Sequence, residues 1–207
     1  MKKLIILLLS CFTLNMVSAQ TTMSNLFDGT TKVTFLGLDF TQAKFIGQDG
    51  FNDPAKIKTY YLQEWNNKLV EEYDKYNLMS VLRLKNYSTE VDDLILLNDG
   101  YNVEANIING TYSITEKEVA KSVSRYKLSN TEGMGISYVI ESFNKTEEKA
   151  VIWVTFIDMK SKKVLYTEKI EGKVSGFGFK NYWLGAIYDV NDTLKSRYKV
   201  WKKKFTS

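Results

Sequence analysis

Apolar residues change their spacing several times along this chain, and each change predicts an element. Lys32–Phe40 (KVTFLGLDF) carries Val33, Phe35, Leu36 and Leu38, apolar on both faces, which predicts a strand covered twice, as in the middle of an α/β sheet. A polar, glycine-bearing loop (TQAKFIGQDGFN) then leads to Asp53-Pro54, where aspartate can cap free amides and proline loses nothing at the first helical position. From there Ile57, Tyr61, Leu62, Trp65, Leu69, Tyr73 and Tyr76 recur at steps of three and four, predicting one helix that runs to about Tyr76 with a core-facing aromatic stripe. Asn77–Lys85 (NLMSVLRLK) reads as a strand, and Tyr87–Val103 is ambiguous.

Ala105–Ile114 alternates well enough for another strand. Thr115 and Glu118 then stand at capping-box spacing, with Val119, Val123 and Tyr126 marking one face of a short helix. After the break at Asn130–Gly135 come Ile136–Phe143, Ala150–Met159 and Lys163–Gly172, three strands joined by short charged turns, which predicts an antiparallel meander. Leu184, Ile187, Tyr188, Asn191, Leu194, Tyr198 and Trp201 trace a long terminal amphipathic helix, with Asn191 the lone amide in its apolar row. No repeat of 20 to 50 residues and no proline- or serine-rich linker interrupts the pattern. The expected fold is therefore α/β (or α+β), one mixed sheet with packed helices, occupying residues 32–207 as a single domain after a flexible segment over 20–31.

The start of the chain bears on its destination. Lys2-Lys3 precede an uncharged, mostly apolar run, Leu4–Val17, and Val17-Ser18-Ala19 supplies small side chains where a signal peptidase reads. The run is short for a spanning helix and quickly gives way to polar sequence. Residues 1–19 are thus expected to be a signal peptide, sending the chain to the periplasm or beyond, with no spanning helix left in the mature protein. A second reading takes Leu8-Leu9-Ser10-Cys11 as a lipobox with Cys11 as the acylated residue; against it, Leu9 stands where a small residue is usual and the apolar run continues past Cys11. Outer-membrane association would follow from that second route.

Composition narrows the chemistry. Cleavage after Ala19 removes the one cysteine, so no disulfide or thiol chemistry is expected of the remaining 188 residues, a length that can bury a sizeable core. Loss of Lys2 and Lys3 lowers the formal charge from +4 to +2, too weak a balance to argue for nucleic acid. Lys202-Lys203-Lys204 reads more simply as a solvated helix end, where cations favour the dipole. The chain contains no histidine, which removes the Ser-His-Asp and Cys-His constellations, the usual general base near neutral pH and the commonest transition-metal ligand. Glu90, Asp92 and Asp93 lack the spacing that arranges oxygens around calcium. No metal or cofactor is expected.

With the first strand, its capped helix, the strand-turn-strand VTFIDMKSKKVLYT (Val154–Thr167) and the terminal helix in view, the chain resembles envelope proteins of Gram-negative bacteria. The similar groups are the curli-export lipoproteins, the penicillin-binding-protein activator lipoproteins and the amino-terminal domain of the Tol-system periplasmic protein. It also resembles an uncharacterised secreted family of the Bacteroidetes in which a GFGFKNYW-like stretch precedes the last helix. These resemblances imply a domain of the anticodon-binding-domain-like type and an envelope role through contact with another envelope protein or with itself. They carry over no catalytic residue.

Three candidate sites follow. Asp39 and Asp158 each end a predicted strand, and side by side they would form an acid-base pair, the alternative being that each begins a turn. Of the tryptophans, Trp183 stands at a loop boundary and is the candidate for a sugar-stacking platform. Finally, GFGFKNYW (Gly176–Trp183) has two glycines before a helix start, but Gly-x-Gly without a third glycine is neither a dinucleotide fingerprint nor a P-loop. It is expected to be a bend with positive φ at the glycines and Asn181 as helix cap. Phe177, Phe179, Lys180, Asn181, Tyr182 and Trp183 are then either core or a surface that meets a partner. The alternative function is an envelope domain that binds glycans or hydrolyses them with the two aspartates.

Overall fold

The computed structural model describes residues 21–207, so the signal-like segment, Cys11 and the predicted cleavage site lie outside the described residues. Within them one seven-stranded mixed sheet carries helices on both faces. In chain order the elements are α1 (Asn25–Asp28), β1 (Val33–Asp39), β2 (Lys44–Ile46), α2 (Pro54–Lys56), a π-helical turn (Ile57–Tyr61), α3 (Leu62–Glu71), α4 (Tyr73–Tyr76), α5 (Leu78–Val81), β3 (Tyr87–Thr89), α6 (Asp92–Asn98), β4 (Ile107–Ile108), α7 (Glu116–Val123), β5 (Met134–Asn144), β6 (Lys149–Asp158), β7 (Lys163–Lys173) and α8 (Gly178–Thr206).

The meander β5-β6-β7 is the backbone of the sheet, antiparallel throughout. β6 covers one edge of β5 along its whole length, so β1 and β2 share the other edge in succession, both parallel to it. β1 lies against Met134–Val139 and β2 against Ser142–Asn144. β3 flanks β1 and β4 flanks β2. β1 and β2 thus behave as one strand interrupted at Phe40–Ala43. The double covering expected of β1 is realised: Val33, Phe35 and Leu38 join the main core with α3 and α8, whereas Leu36 packs with Leu94, Val123 and Tyr126 on the opposite side.

Past Phe35, β1 has no strand on its outer edge, and two side-chain amides take that role. Asn66 of α3 accepts from the Leu38 amide at 2.7 Å, and Asn98 of α6 accepts from the Phe40 amide at 2.8 Å while donating to the Leu38 carbonyl at 2.8 Å. Buried main-chain groups need such partners. Gly37, at φ 99°, sits at a register shift between β1 and β5, and a Cβ there would lie 2.3 Å from the Asn66 Oδ1. Only glycine lets the amide approach this closely.

Several expectations are corrected. The helix predicted from Asp53 to Tyr76 starts as expected, with Asp53 Oδ1 accepting from the Lys56 amide at 2.9 Å, but it contains the π turn and breaks at Glu72. Asn77–Lys85 forms no strand but the short helix α5 (Leu78–Val81) followed by a turn: Asn77 caps the helix by accepting from the Met79 amide at 2.7 Å, and Leu78 and Leu82, four residues apart, are both buried. Ala105–Ile114 pairs only over Ile107–Ile108, because β2 offers a partner only three residues long and the chain leaves the ladder near Gly110. Within the segment expected to be flexible, Leu26 of α1 and Met23 just before it are buried in the core.

Candidate functional site

The GFGFKNYW stretch joins β7 to α8, and its residues have divergent fates. Gly176 and Gly178 both have positive φ, 101° and 78°, as a tight bend requires. Helix α8 starts at Gly178 with Phe177 in the cap position and no side-chain cap. Asn181 is therefore not the cap; it lies in the first turn and donates from Nδ2 to the Phe177 carbonyl at 3.2 Å. Trp183 is not a platform residue either. Fully buried, it stacks on Phe143 at 4.5 Å and on Phe51 at 5.5 Å.

The intervening residues tie this bend to the rest of the fold. Phe179 is partly buried against Tyr61 at 4.8 Å, Trp65 at 5.8 Å and Phe51 at 6.0 Å. The Lys180 ammonium pairs with Glu64 Oε1 at 2.8 Å, and that hydrogen bond raises its pKa above the ordinary lysine value. The Lys180 carbonyl accepts from Trp65 Nε1 at 3.1 Å. Tyr182 donates to Glu148 at 3.0 Å and accepts from Lys145 at 2.8 Å. Only Phe177 escapes: its ring is 95% exposed.

Beside this anchored bend lies a cleft of about 270 Å³ with aromatic and aliphatic walls, Phe51, Ile57, Tyr61 and Phe179, and a polar rim of Asn52, Asp53 and Lys56. The Lys56 ammonium stands 5.7 Å from the centre of the Tyr61 ring. Gly50 separates it from a second, polar cleft of about 240 Å³ between Gln48-Asp49 and Lys145-Thr146. The π turn shapes this region by setting Tyr60 and Tyr61 side by side, ring centres 5.0 Å apart, with Tyr60 exposed. Single π turns recur at functional sites. Sequence reasoning read Tyr61 only as core stripe and passed over Phe51, Asn52 and Lys56. The available signal was the adjacent pair Tyr60-Tyr61 on a helix whose other rings keep steps of three and four.

The two aspartates are not brought together. Asp39 faces Val139 on β5, whereas Asp158 faces Met134, five residues along the strand and roughly 16 Å away by strand rise. β1 is parallel to β5 and β6 antiparallel, so their carboxyl ends point to opposite edges of the sheet. Each aspartate organises a turn instead. Asp158 accepts from the Ser161 hydroxyl at 2.5 Å at the head of the β6–β7 turn. Asp39 is fully buried; Oδ1 accepts from the Thr41 amide at 2.8 Å and hydroxyl at 2.6 Å, and Oδ2 from Ser122 at 2.5 Å and Tyr126 at 2.8 Å. Burial, with the Asp39 charge adding to it, pushes the Tyr126 hydroxyl well above its ordinary range. With every lone-pair direction engaged and no opening to solvent, this carboxylate closes the β1–β2 interruption against α7.

Among the described residues no three histidine, cysteine, aspartate or glutamate side chains gather where they could hold a metal ion, and no helix is long and apolar enough to cross a membrane.

No family model and no curated protein matches the chain. A solved structure described as a neuraminyllactose-binding hemagglutinin homolog from Helicobacter pylori is 12% identical over 84% of this chain and 89% of that one, with a TM-score of 0.29. At that score the likeness carries no argument about fold or function, and the reading of this chain rests on its own residues.

Proposed function

We propose that the chain is an exported, non-catalytic cell-envelope protein that acts through contact with another envelope protein or with a second copy of itself, and that Phe177 is the centre of the contact. The observation that carries this reading is the exposure of Phe177, 95%, on a bend whose neighbours Phe179, Lys180 and Tyr182 are all tied down. A partner that covered the ring would gain about 2 kcal/mol from its apolar area, with little ordering cost on this side. Aromatic residues presented this way concentrate interface energy. Export is supported by Lys2-Lys3, the run Leu4–Val17 and Val17-Ser18-Ala19. A photo-crosslinking amino acid at position 177, in intact cells, tests the reading, with Leu96 (68% exposed) as control position. A discrete adduct from 177 and none from 96 is expected. Its mass distinguishes a foreign partner from self, and absence of any adduct refutes the contact.

A second reading is favoured by the cleft beside it. Tyr61 and Phe179 offer ring surface, and Asn52, Asp53 and Lys56 offer hydrogen-bonding groups around it, the combination by which a sugar is held. Retention on a glycan array that disappears in Tyr61→Ala would favour this ligand over a protein partner. Hydrolysis by an Asp39–Asp158 pair forms no part of either reading.

A further inference from the structure

The other end of α8 is as distinctive as its start. From Thr193 to Ser207 the chain carries Lys195, Arg197, Lys199, Lys202, Lys203 and Lys204 and no aspartate or glutamate. All six cations are exposed, whereas Leu194, Tyr198 and Trp201 face the core. Lys195 pairs with Asp192 at 2.6 Å and Arg197 with Glu168 at 3.0 Å, and Lys204 lies over the Tyr166 ring at 4.4 Å. Among the described residues Lys199, Lys202 and Lys203 form no ion pair. Val200 sits between these cations, 56% exposed.

A second, independent feature adjoins this face. The Phe27 ring of α1 packs 5.5 Å from Tyr198, and the Arg83 guanidinium lies 5.4 Å from the same ring. The Lys85 side chain lies close against Gly29 just beyond α1. The beginning of the described chain therefore joins the fold beside the basic end of α8.

We infer that this end of the molecule, Lys199, Lys202, Lys203 and Val200 with Arg83 and Lys85, docks on an anionic lipid surface. Unpaired lysines near such a surface gain from its negative potential, and an exposed apolar side chain among them can enter the headgroup region. A lipid surface fits better than a nucleic acid, because Val200, exposed among the lysines, can bury in a headgroup region but gains nothing against a phosphodiester backbone, and the net charge of +2 without residues 1–19 is weak for nucleic acid. The surface lies at the opposite end of α8 from Phe177, so this inference and the proposed protein contact fail independently.

The test is sedimentation of the purified full chain with vesicles of phosphatidylcholine alone or with phosphatidylglycerol. Binding to the anionic vesicles at least tenfold above the neutral ones is expected. The triple variant Lys199→Glu, Lys202→Glu, Lys203→Glu should lose that preference, and the corresponding glutamine variant should lose most of it with an unchanged melting curve. Salt at about 0.5 M should act like the substitutions. Equal binding to both vesicles, or an anionic preference that survives the triple variants, overturns the inference. So does tighter, equally lysine-dependent binding to an oligonucleotide, which would make the partner a nucleic acid.

Discussion

Asn191 is the polar residue in the buried row of α8, 5% exposed between Ile187, Val190 and Leu194. Its Oδ1 accepts from the Tyr138 hydroxyl of β5 at 2.6 Å, and its Nδ2 donates to the Tyr76 carbonyl of α4 at 3.3 Å. One amide thus ties the helix to the central strand and to the segment that follows α3. Asn191→Leu keeps the branched shape, with slightly larger methyl groups, but leaves the Tyr138 hydroxyl, fully buried, without a partner. An unpaired buried hydroxyl costs about 1–3 kcal/mol, and loss of the longer bond to Tyr76 adds roughly 0.5 kcal/mol. The leucine recovers about 1 kcal/mol of apolar burial. The net loss is about 1.5 kcal/mol, a fall in Tm of about 3–6 °C at this chain length.

Urea unfolding followed by tryptophan fluorescence measures it, and a double-mutant cycle assigns it. Tyr138→Phe alone strands the Asn191 carbonyl oxygen, whereas Asn191→Leu with Tyr138→Phe removes both members of the pair. The double variant should be more stable than the sum of the singles by about 1–2 kcal/mol. If Asn191→Leu matches or exceeds the parent protein, or if the two losses simply add, the amide is not holding Tyr138 and the reasoning fails.

Two further outcomes follow from the same contacts. A Cβ at Gly172 would lie 2.1 Å from the Ala186 carbonyl oxygen, and one at Gly185 would lie 2.2 Å from the Ser175 carbonyl oxygen, so alanine should cost at least about 2 kcal/mol at either position, by pushing α8 from β7 in the first case and from the β7–α8 connection in the second. Gly178→Ala meets nothing within 4 Å and should cost only about 1 kcal/mol, through its positive φ; equal losses at all three positions would refute the steric account. Burial raises the pKa of Tyr101, Tyr126 and Tyr138, and burial together with Glu168 pushes Tyr166 up to about 12. The stability these groups contribute is complete below about pH 10, the unfolded tyrosine value, and is lost as pH rises above it, because the unfolded chain ionises first. The part of the tyrosinate absorbance that comes from these four of the thirteen tyrosines should therefore appear in step with loss of circular dichroism, and ionisation of all thirteen near pH 10 in a still-folded protein would refute it.

The elements legible in the sequence are those whose signal is local. β5 and β6 are largely apolar runs buried on both faces, β7 follows them, and short charged turns separate the three; α7 is announced by its capping box, Thr115 accepting from the Glu118 amide while Glu118 accepts from that of Thr115 at 2.7 Å. Elements that depend on what lies beside them were not legible. Leu78, Leu82 and Leu84 suit a strand or a helical turn, and packing of α5 on α8 decides between them. Ile107–Ile108 pair no further because their neighbour is short. Trp183 illustrates the limit at the candidate site: a loop boundary suggested exposure, yet the helix begins five residues earlier and turns its ring onto Phe143. The cleft needed Phe51, Tyr61 and Phe179, which are 128 residues apart at the extremes and meet only in the fold.

Helix α8 gives the two proposed surfaces a fixed relation. Its 29 residues span about 43 Å from Gly178 to Thr206 at the α-helical rise. The helix is held along that length by β6 and β7 and by buried side chains from Trp183 to Trp201, so its ends cannot move independently. If Lys199, Lys202 and Lys203 rest on lipid headgroups, Phe177 stands at the far end of a rigid rod attached to them. How far it projects depends on the angle of α8 to the surface, up to about 43 Å for a helix standing upright. A partner reached through Phe177 then needs no segment buried in the bilayer; it needs an aromatic-binding surface at that height. The arrangement also accounts for the distribution of charge along α8: Asp189 and Asp192 stand in its middle, Lys180 near its start is neutralised by Glu64, and uncompensated cations collect only at the last two turns. A helix capped merely for its dipole would need one or two such cations. The excess is what a second, external anionic surface would explain.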